Sequence, residues 1–169
     1  PAQILALYPE SFENASNLRK VKMFPCFTLM LQSAKKVKPA LEAATVHGNS
    51  ISWISENSSK PRRASIPTYV VHSSFEWARK NIDTERPSVK NALEKSFCDL
   101  TGLALEDIKH SDLHFWRHGV TESPAGSPSY IDKSLRLAAC GDWCLGKNVE
   151  DGFLSGLHLC ESLKEALAQ

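Results

Sequence analysis

The residues whose types and spacing are best suited to chemistry lie in one stretch near the end of the chain, GDWCLGKNVEDGFLSG, residues 141–156. It joins an apolar run ending near Cys140 to an amphipathic run starting near Asn148, which reads as a strand, a turn and a helix. Such a junction leaves backbone amides free and points the positive end of a helix outward, and both features favour a negatively polarised group. Gly141 and Gly146 would let the backbone approach a ligand closely, and Asp142 could accept hydrogen bonds from sugar-type hydroxyls. A purely structural account fits the same residues. In that account Asp142 stabilises a turn, Asn148 caps the helix, and Gly152 and Gly156 permit close packing.

The thiols suggest a different chemistry, that of a cysteine hydrolase with Cys144 or Cys26 as nucleophile and His47, His72 or His114 as base. No local signature surrounds either cysteine. Cys26, Cys98, Cys140, Cys144 and Cys160 are odd in number, scattered, and set mostly among apolar neighbours. They read as reduced thiols used as small core residues, not as a disulfide framework. Cys140 and Cys144 lack a second ligand pair at zinc spacing, so no structural metal is expected.

At 169 residues, 42% of them hydrophobic, the chain is long enough for a real core in one compact domain. Twenty basic against 19 acidic residues leave a formal charge of +1, which gives no electrostatic case for nucleic acid or an anionic membrane. Lys35, Lys36 and Lys38, and the Lys60–Arg63 stretch, read as solvated loops. No apolar run approaches the ~20 residues of a membrane span, and no signal-peptide order is seen at the start, so the expected location is cytoplasmic.

The elements that must position these residues follow from periodicity. A short helical stretch up to Tyr8 and a second from about Ala15 lead into FPCFTLML, residues 24–31, which reads as a buried strand. Residues 43–47 and 51–56 flank Gly48-Asn49 and form a hairpin, with Ile51, Trp53 and Ser55 expected on one face and Ser52, Ile54 and Glu56 on the other. Residues 66–72 are the next strand. Strands in succession without intervening helices indicate an antiparallel sheet, hence an α+β fold with peripheral helices. Ser73 or Ser74 caps a short helix, and Pro87 opens a longer one whose stripe is Val89, Leu93, Phe97 and Leu100. Residues 110–120 read as a strand with His114, Trp116 and His118 on one face and Leu113, Phe115 and Arg117 on the other. A loop, a last strand through Leu135, Leu137 and Ala139, and a final helix with the stripe Val149, Phe153, Leu157, Cys160, Leu163 and Leu167 complete the chain.

The segment LRLAACGDWCLGKNVEDGFLSG resembles the C-terminal signature of bacterial FAD-dependent oxidoreductases of the renalase-like group, often described as NAD(P)-binding or amine oxidases. PCFTLML, ISWISENSSKP, YVVHSSFEWA and HFWRHG resemble, in the same order, segments of that group's substrate domain, so the likeness runs from about Val21 to the end. It implies a Rossmann-type FAD domain interleaved with an antiparallel substrate domain. Residues 1–133 would be the substrate-domain part, and residues 134–169 a strand and helix completing the FAD domain. Asp142 would then contact the ribityl or pyrophosphate part of FAD, and the amides of Lys147, Asn148 and Val149 would face the pyrimidine end of the flavin, with Gly141 and Gly146 permitting the approach. Lys147 and Asn148 depart from the glycine or proline and the arginine that the pattern calls for.

The resemblance further implies hydride transfer from a reduced nicotinamide-type substrate or an amine to FAD, and from FAD to oxygen. Trp53, His72, Trp116 and Arg117 are the candidates for the substrate wall; no catalytic residue is assigned. Each has a structural alternative, the tryptophans as core, His72 as a strand end and Arg117 in an ion pair. The Gly-rich loop that holds the dinucleotide pyrophosphate has no counterpart in the chain. The expectation is therefore the C-terminal portion of a longer flavoprotein, inactive and without FAD by itself, whose partner is the N-terminal FAD domain. Its orphan strand at residues 135–140 would attach at an edge or support self-association. The alternative is a non-enzymatic binding or interaction module.

Overall fold

The computed structural model describes residues 1–40 and 42–167, apart from the side chains of Ala2, Ala166 and Leu167. Two compact units form, Pro25–Arg117 and the combination of Pro1–Phe24 with His118–Gln169. In order the elements are α1 (Ala2–Leu5), α2 (Ala15–Lys20), β1 (Lys22–Ser33), β2 (Ala43–Thr45), β3 (Ile51–Glu56), β4 (Thr68–Ser73), α3 (Phe75–Lys80), α4 (Arg86–Thr101), β5 (Ile108–Ser123), β6 (Tyr130–Asp132), β7 (Leu137–Ala139), α5 (Asp142–Leu145) and α6 (Val149–Leu167). The fold class is α+β, with a five-stranded antiparallel sheet in the order β2-β3-β4-β1-β5 and peripheral helices.

In the unit Pro25–Arg117, alternation along each strand separates two faces of the sheet. Phe27, Leu29 and Leu31 of β1 and Tyr69 and Val71 of β4 point to the core side, where Val89, Leu93 and Phe97 of α4 join them. Pro87 lies in the first turn of α4, and Gly102 closes the helix in the left-handed conformation with φ of 73°. Leu100, expected in the buried stripe, is 41% exposed, because the last turn of α4 has run past its packing partners.

The hairpin forms about Gly48-Asn49, but its faces are not the expected ones. Register shifts between Ile51 and Trp53: Ile51 lies opposite Ser73 and Trp53 opposite His72. One extra residue, Ser52, is accommodated as a bulge, and a bulge changes the phase of the strand beyond it. Ile51 and Ile54 therefore both reach the core, while Trp53 and Ser55, opposite His72 and Val70, stay together on the other face without Ile51.

Two of the loop lysines have defined partners. Lys35 meets the buried Asp107 at 2.8 Å and Lys36 meets the buried Glu56 at 2.9 Å, while their own side chains stay largely in solvent.

In the second unit, Phe12, Ala15, Leu18, Tyr130, Ala139, Trp143 and Cys144 form a small core. The Tyr130 and Trp143 rings stack, with centroids 6.2 Å apart and planes 8° from parallel. β7 pairs antiparallel with β6, and the Tyr8 hydroxyl donates to the Ala138 carbonyl. Asp132 holds the intervening turn by accepting from Glu13 N at 3.0 Å, Leu135 N at 3.0 Å and Ser134 Oγ at 2.7 Å. These donors hold its carboxyl down at about 2. The expected stripe of α6 does not face this core. Val149, Phe153, Leu157, Cys160 and Leu163 are exposed, and Leu167 has its side chain outside the described residues. Ser155, on the opposite side of the helix, is the buried residue.

Candidate functional site

The junction after β7 contains more structure than a strand, a turn and a helix. Residues 142–145 wind into the single turn α5, and three residues separate its end from the start of α6. Gly141 N–H donates to Ser155 Oγ at 3.0 Å, and Ser155 Oγ–H donates to the Pro128 carbonyl at 2.6 Å. One buried hydroxyl thus joins α6, the junction and the loop before β6. The glycines are required by close approach. A Cβ on Gly141 would lie 2.4 Å from Trp143 Nε1, and one on Gly146 would lie 2.4 Å from Asp151 Oδ2.

Asp151 decides what the helix entrance can do. Its Oδ2 accepts from Lys147 N at 2.9 Å and from Asn148 N at 2.8 Å, back-bonding from the first turn of α6 as acidic residues there commonly do. Two of the three amides expected to meet a flavin are therefore already satisfied within the chain. Tested against FAD, the set divides. Asp142 is half-buried and, among the described residues, its carboxylate has no hydrogen-bond partner and interacts electrostatically with the Pro1 ammonium, so it can still accept from a hydroxyl-bearing ligand, and Val149 lies open. The amide half does not fit while Asp151 occupies it. The sequence offered a signal for this, an acid three residues beyond Asn148, but the glycines around it drew the reading toward a ligand.

The second candidate region is the face of the five-stranded sheet turned away from α4. His72 of β4 lies directly opposite Trp53 on β3 and Thr28 on β1. Trp53 is exposed and His72 half-buried. Burial pushes the His72 imidazole below its usual range, so it is neutral at pH 7. Trp116 of β5 projects on this side as well, with the His114 ring against it at 4.3 Å, edge to face. Its neighbours on the strand establish the alternation, since Phe115 stacks at 4.6 Å on Phe27 of the core side.

Arg117 is separated from the other three candidates by that same alternation. Its guanidinium sits 5.8 Å from the Phe115 ring centroid, on the α4 side. The structure thus brings Trp53 and His72 together, places Trp116 on the same face, and puts Arg117 on the other. Residues that sequence reasoning passed over complete the face. Met30, Thr68, Val70, His110 and Asp112 line a groove of about 550 Å³ on it. For Met30 the signal was the alternation within residues 24–31, hidden because the whole run reads as buried; Thr68 and Val70 on β4 and His110 and Asp112 on β5 alternate with core-facing neighbours on their own strands.

The thiols do not assemble a hydrolytic site. Burial raises both the Cys26 and the Cys144 thiol, and Cys26 bonds with Ser73 and backbone carbonyls. A raised pKa disfavours the thiolate that a nucleophile needs. Among the described residues no group of His, Cys, Asp or Glu could hold a metal ion, and no helix is long and apolar enough to cross a membrane. No known protein-family profile matches the chain.

Proposed function

We propose that the chain is the substrate-domain portion of a renalase-like flavoprotein, an FAD-dependent oxidoreductase that oxidises a reduced nicotinamide-type substrate or an amine. The observation that carries this reading is the open sheet face on which Trp53, His72 and Trp116 project while α4 covers the opposite face. Aromatic side chains beside a neutral imidazole suit a flat, largely apolar ligand, whose ring they can stack on and whose one polar edge His72 can hydrogen-bond. When bound, FAD would supply the hydride-accepting chemistry; the chain's own part would be to position the substrate through Trp53, His72 and Trp116. Arg117 has no place in this wall. Asp142 is the side chain through which residues 134–169 would hold the cofactor, together with an N-terminal FAD domain and in the cytoplasm.

The test is the visible absorbance spectrum of the longer protein and of the 169-residue chain, each purified and incubated with FAD. Flavin bands in the longer protein, weakened by Asp142→Ala and absent from the short chain, support the reading. A longer protein that takes up no FAD sinks it. The exposed α6 stripe favours a second reading, an interaction module without catalytic activity, and a colourless longer protein would turn attention there.

A further inference from the structure

A cavity of about 570 Å³ opens in the unit Pro25–Arg117, between the turn that joins β2 to β3 and the helix α3. Val46, His47, Asn49, Glu76, Trp77 and Lys80 line it, and none of them lines the groove on the open sheet face. Val46 and Trp77 are half-buried against the core, and the Trp77 ring meets Phe27 edge to face at 6.0 Å, which sets the cavity on the α4 side of the sheet. An aromatic wall with a few polar groups in a cavity of this size is the make-up of a small-molecule site.

Charge selects the ligand. Glu76 and Lys80 stand four residues apart on α3, the spacing and the order, acid before base, that best suit an ion pair along a helix. Among the described residues neither side chain pairs with the other or with a third group. On α4 two such pairs close in the less favourable order, Lys90 with Glu94 at 3.6 Å and Lys95 with Asp99 at 2.7 Å. The acid and the base beside the cavity are thus separate charges next to one apolar wall. Apart from His47, the lining carries one charge of each sign. An anion would be drawn to Lys80 and repelled by Glu76, and a cation the reverse; a zwitterion satisfies both.

We propose that this cavity binds a free α-amino acid with an apolar side chain. Its ammonium pairs with Glu76, its carboxylate pairs with Lys80, and its side chain packs against Val46 and Trp77. The site lies on the other side of the sheet from Trp53, His72 and Trp116, and it does not depend on the flavin reading.

NMR titration of the isotope-labelled chain with L-phenylalanine should shift the Trp77 indole and Gly48 amide signals, with a dissociation constant in the millimolar range. Hydrocinnamate lacks the ammonium and phenethylamine lacks the carboxylate, and each should bind about fivefold more weakly. Glu76→Gln should erase the preference over hydrocinnamate and keep that over phenethylamine; Lys80→Met should do the reverse. Both side chains are exposed, so neither variant disturbs the core. No shift at Trp77 up to about 50 mM ligand, or equal binding of all three compounds, overturns the inference. Shifts confined to Trp53 and Trp116 overturn it as well, because they place the ring on the open sheet face.

Discussion

Ser155→Ala tests whether the junction after β7 is held by one hydroxyl. Ser155 is fully buried, accepts from Gly141 N at 3.0 Å and donates to the Pro128 carbonyl at 2.6 Å. Removing the oxygen strands one backbone donor and one backbone acceptor away from water, and each stranded group costs about 1–3 kcal/mol. Partial relaxation at the half-exposed Gly141 brings the expected total to about 2–3 kcal/mol. Because the chain forms two units, a global melting temperature would mix them, so the measurement should be local. Cys144 N–H donates to the Gly141 carbonyl at 3.0 Å and Ala125 N–H to the Trp143 carbonyl at 2.9 Å, and both amides report on the junction. Their hydrogen-exchange protection should fall about 30- to 100-fold in the variant, while amides of α4 keep theirs. A loss below about threefold would mean that the hydroxyl does not tie α6 to the junction.

Three further outcomes follow from the same geometry. Gly146→Ala should expel the Asp151 carboxylate from the Lys147 and Asn148 amides and cost about 1–2 kcal/mol by urea titration; Asp151→Ala should cost about the same, and the double variant hardly more. Asp132 titrates at about 2 in the folded chain, against about 3.9 unfolded. A depressed carboxyl stabilises above the unfolded pKa, so its contribution should be whole above about pH 4 and fade toward pH 2. Asp132→Asn should remove about one proton from the uptake on acid unfolding, and an unchanged acid profile would refute that role. In timed alkylation read by mass spectrometry, exposed Cys160 should react first, while Cys26, Cys98 and Cys144 resist until the chain unfolds. Early modification of Cys26 or Cys144 would reopen the thiol as a nucleophile.

The parts of the fold legible in the sequence are those where one local signal coincides with burial. Val89, Leu93 and Phe97 repeat at helical spacing and do face the core, and Pro87 and Gly102 mark the ends of their helix. The hairpin about Gly48-Asn49 was legible for the same reason. Its faces were not, because a bulge inserts a residue without any composition signal, and one inserted residue reverses every side chain on one side of it. The α6 stripe shows the opposite failure. Its periodicity is as clear as that of α4, yet the apolar side points outward and a serine occupies the core. Periodicity identifies an apolar face and leaves open what covers it.

The candidate wall of Trp53, His72, Trp116 and Arg117 contained its own contradiction. Trp116 and Arg117 are adjacent on one strand, and adjacent strand residues cannot share a face. Arg117 was attractive for its charge, since a planar cation suits a carboxylate or phosphate; the backbone assigns it to Phe115 and the α4 side instead. What remains is Trp53, His72 and Trp116, with Met30 and the groove residues His110 and Asp112 on the same face. Removing the arginine changes the chemistry the face can recognise, from anchoring an anion to stacking a flat ring. On the proposed reading, Trp116→Ala should weaken binding of a reduced nicotinamide-type ligand by more than about tenfold, as base-on-aromatic stacking generally does, whereas Arg117→Ala should leave it within about twofold. Ligand titration monitored by tryptophan fluorescence would show it, and an Arg117→Ala variant that lost binding as completely as Trp116→Ala would return the arginine to the site.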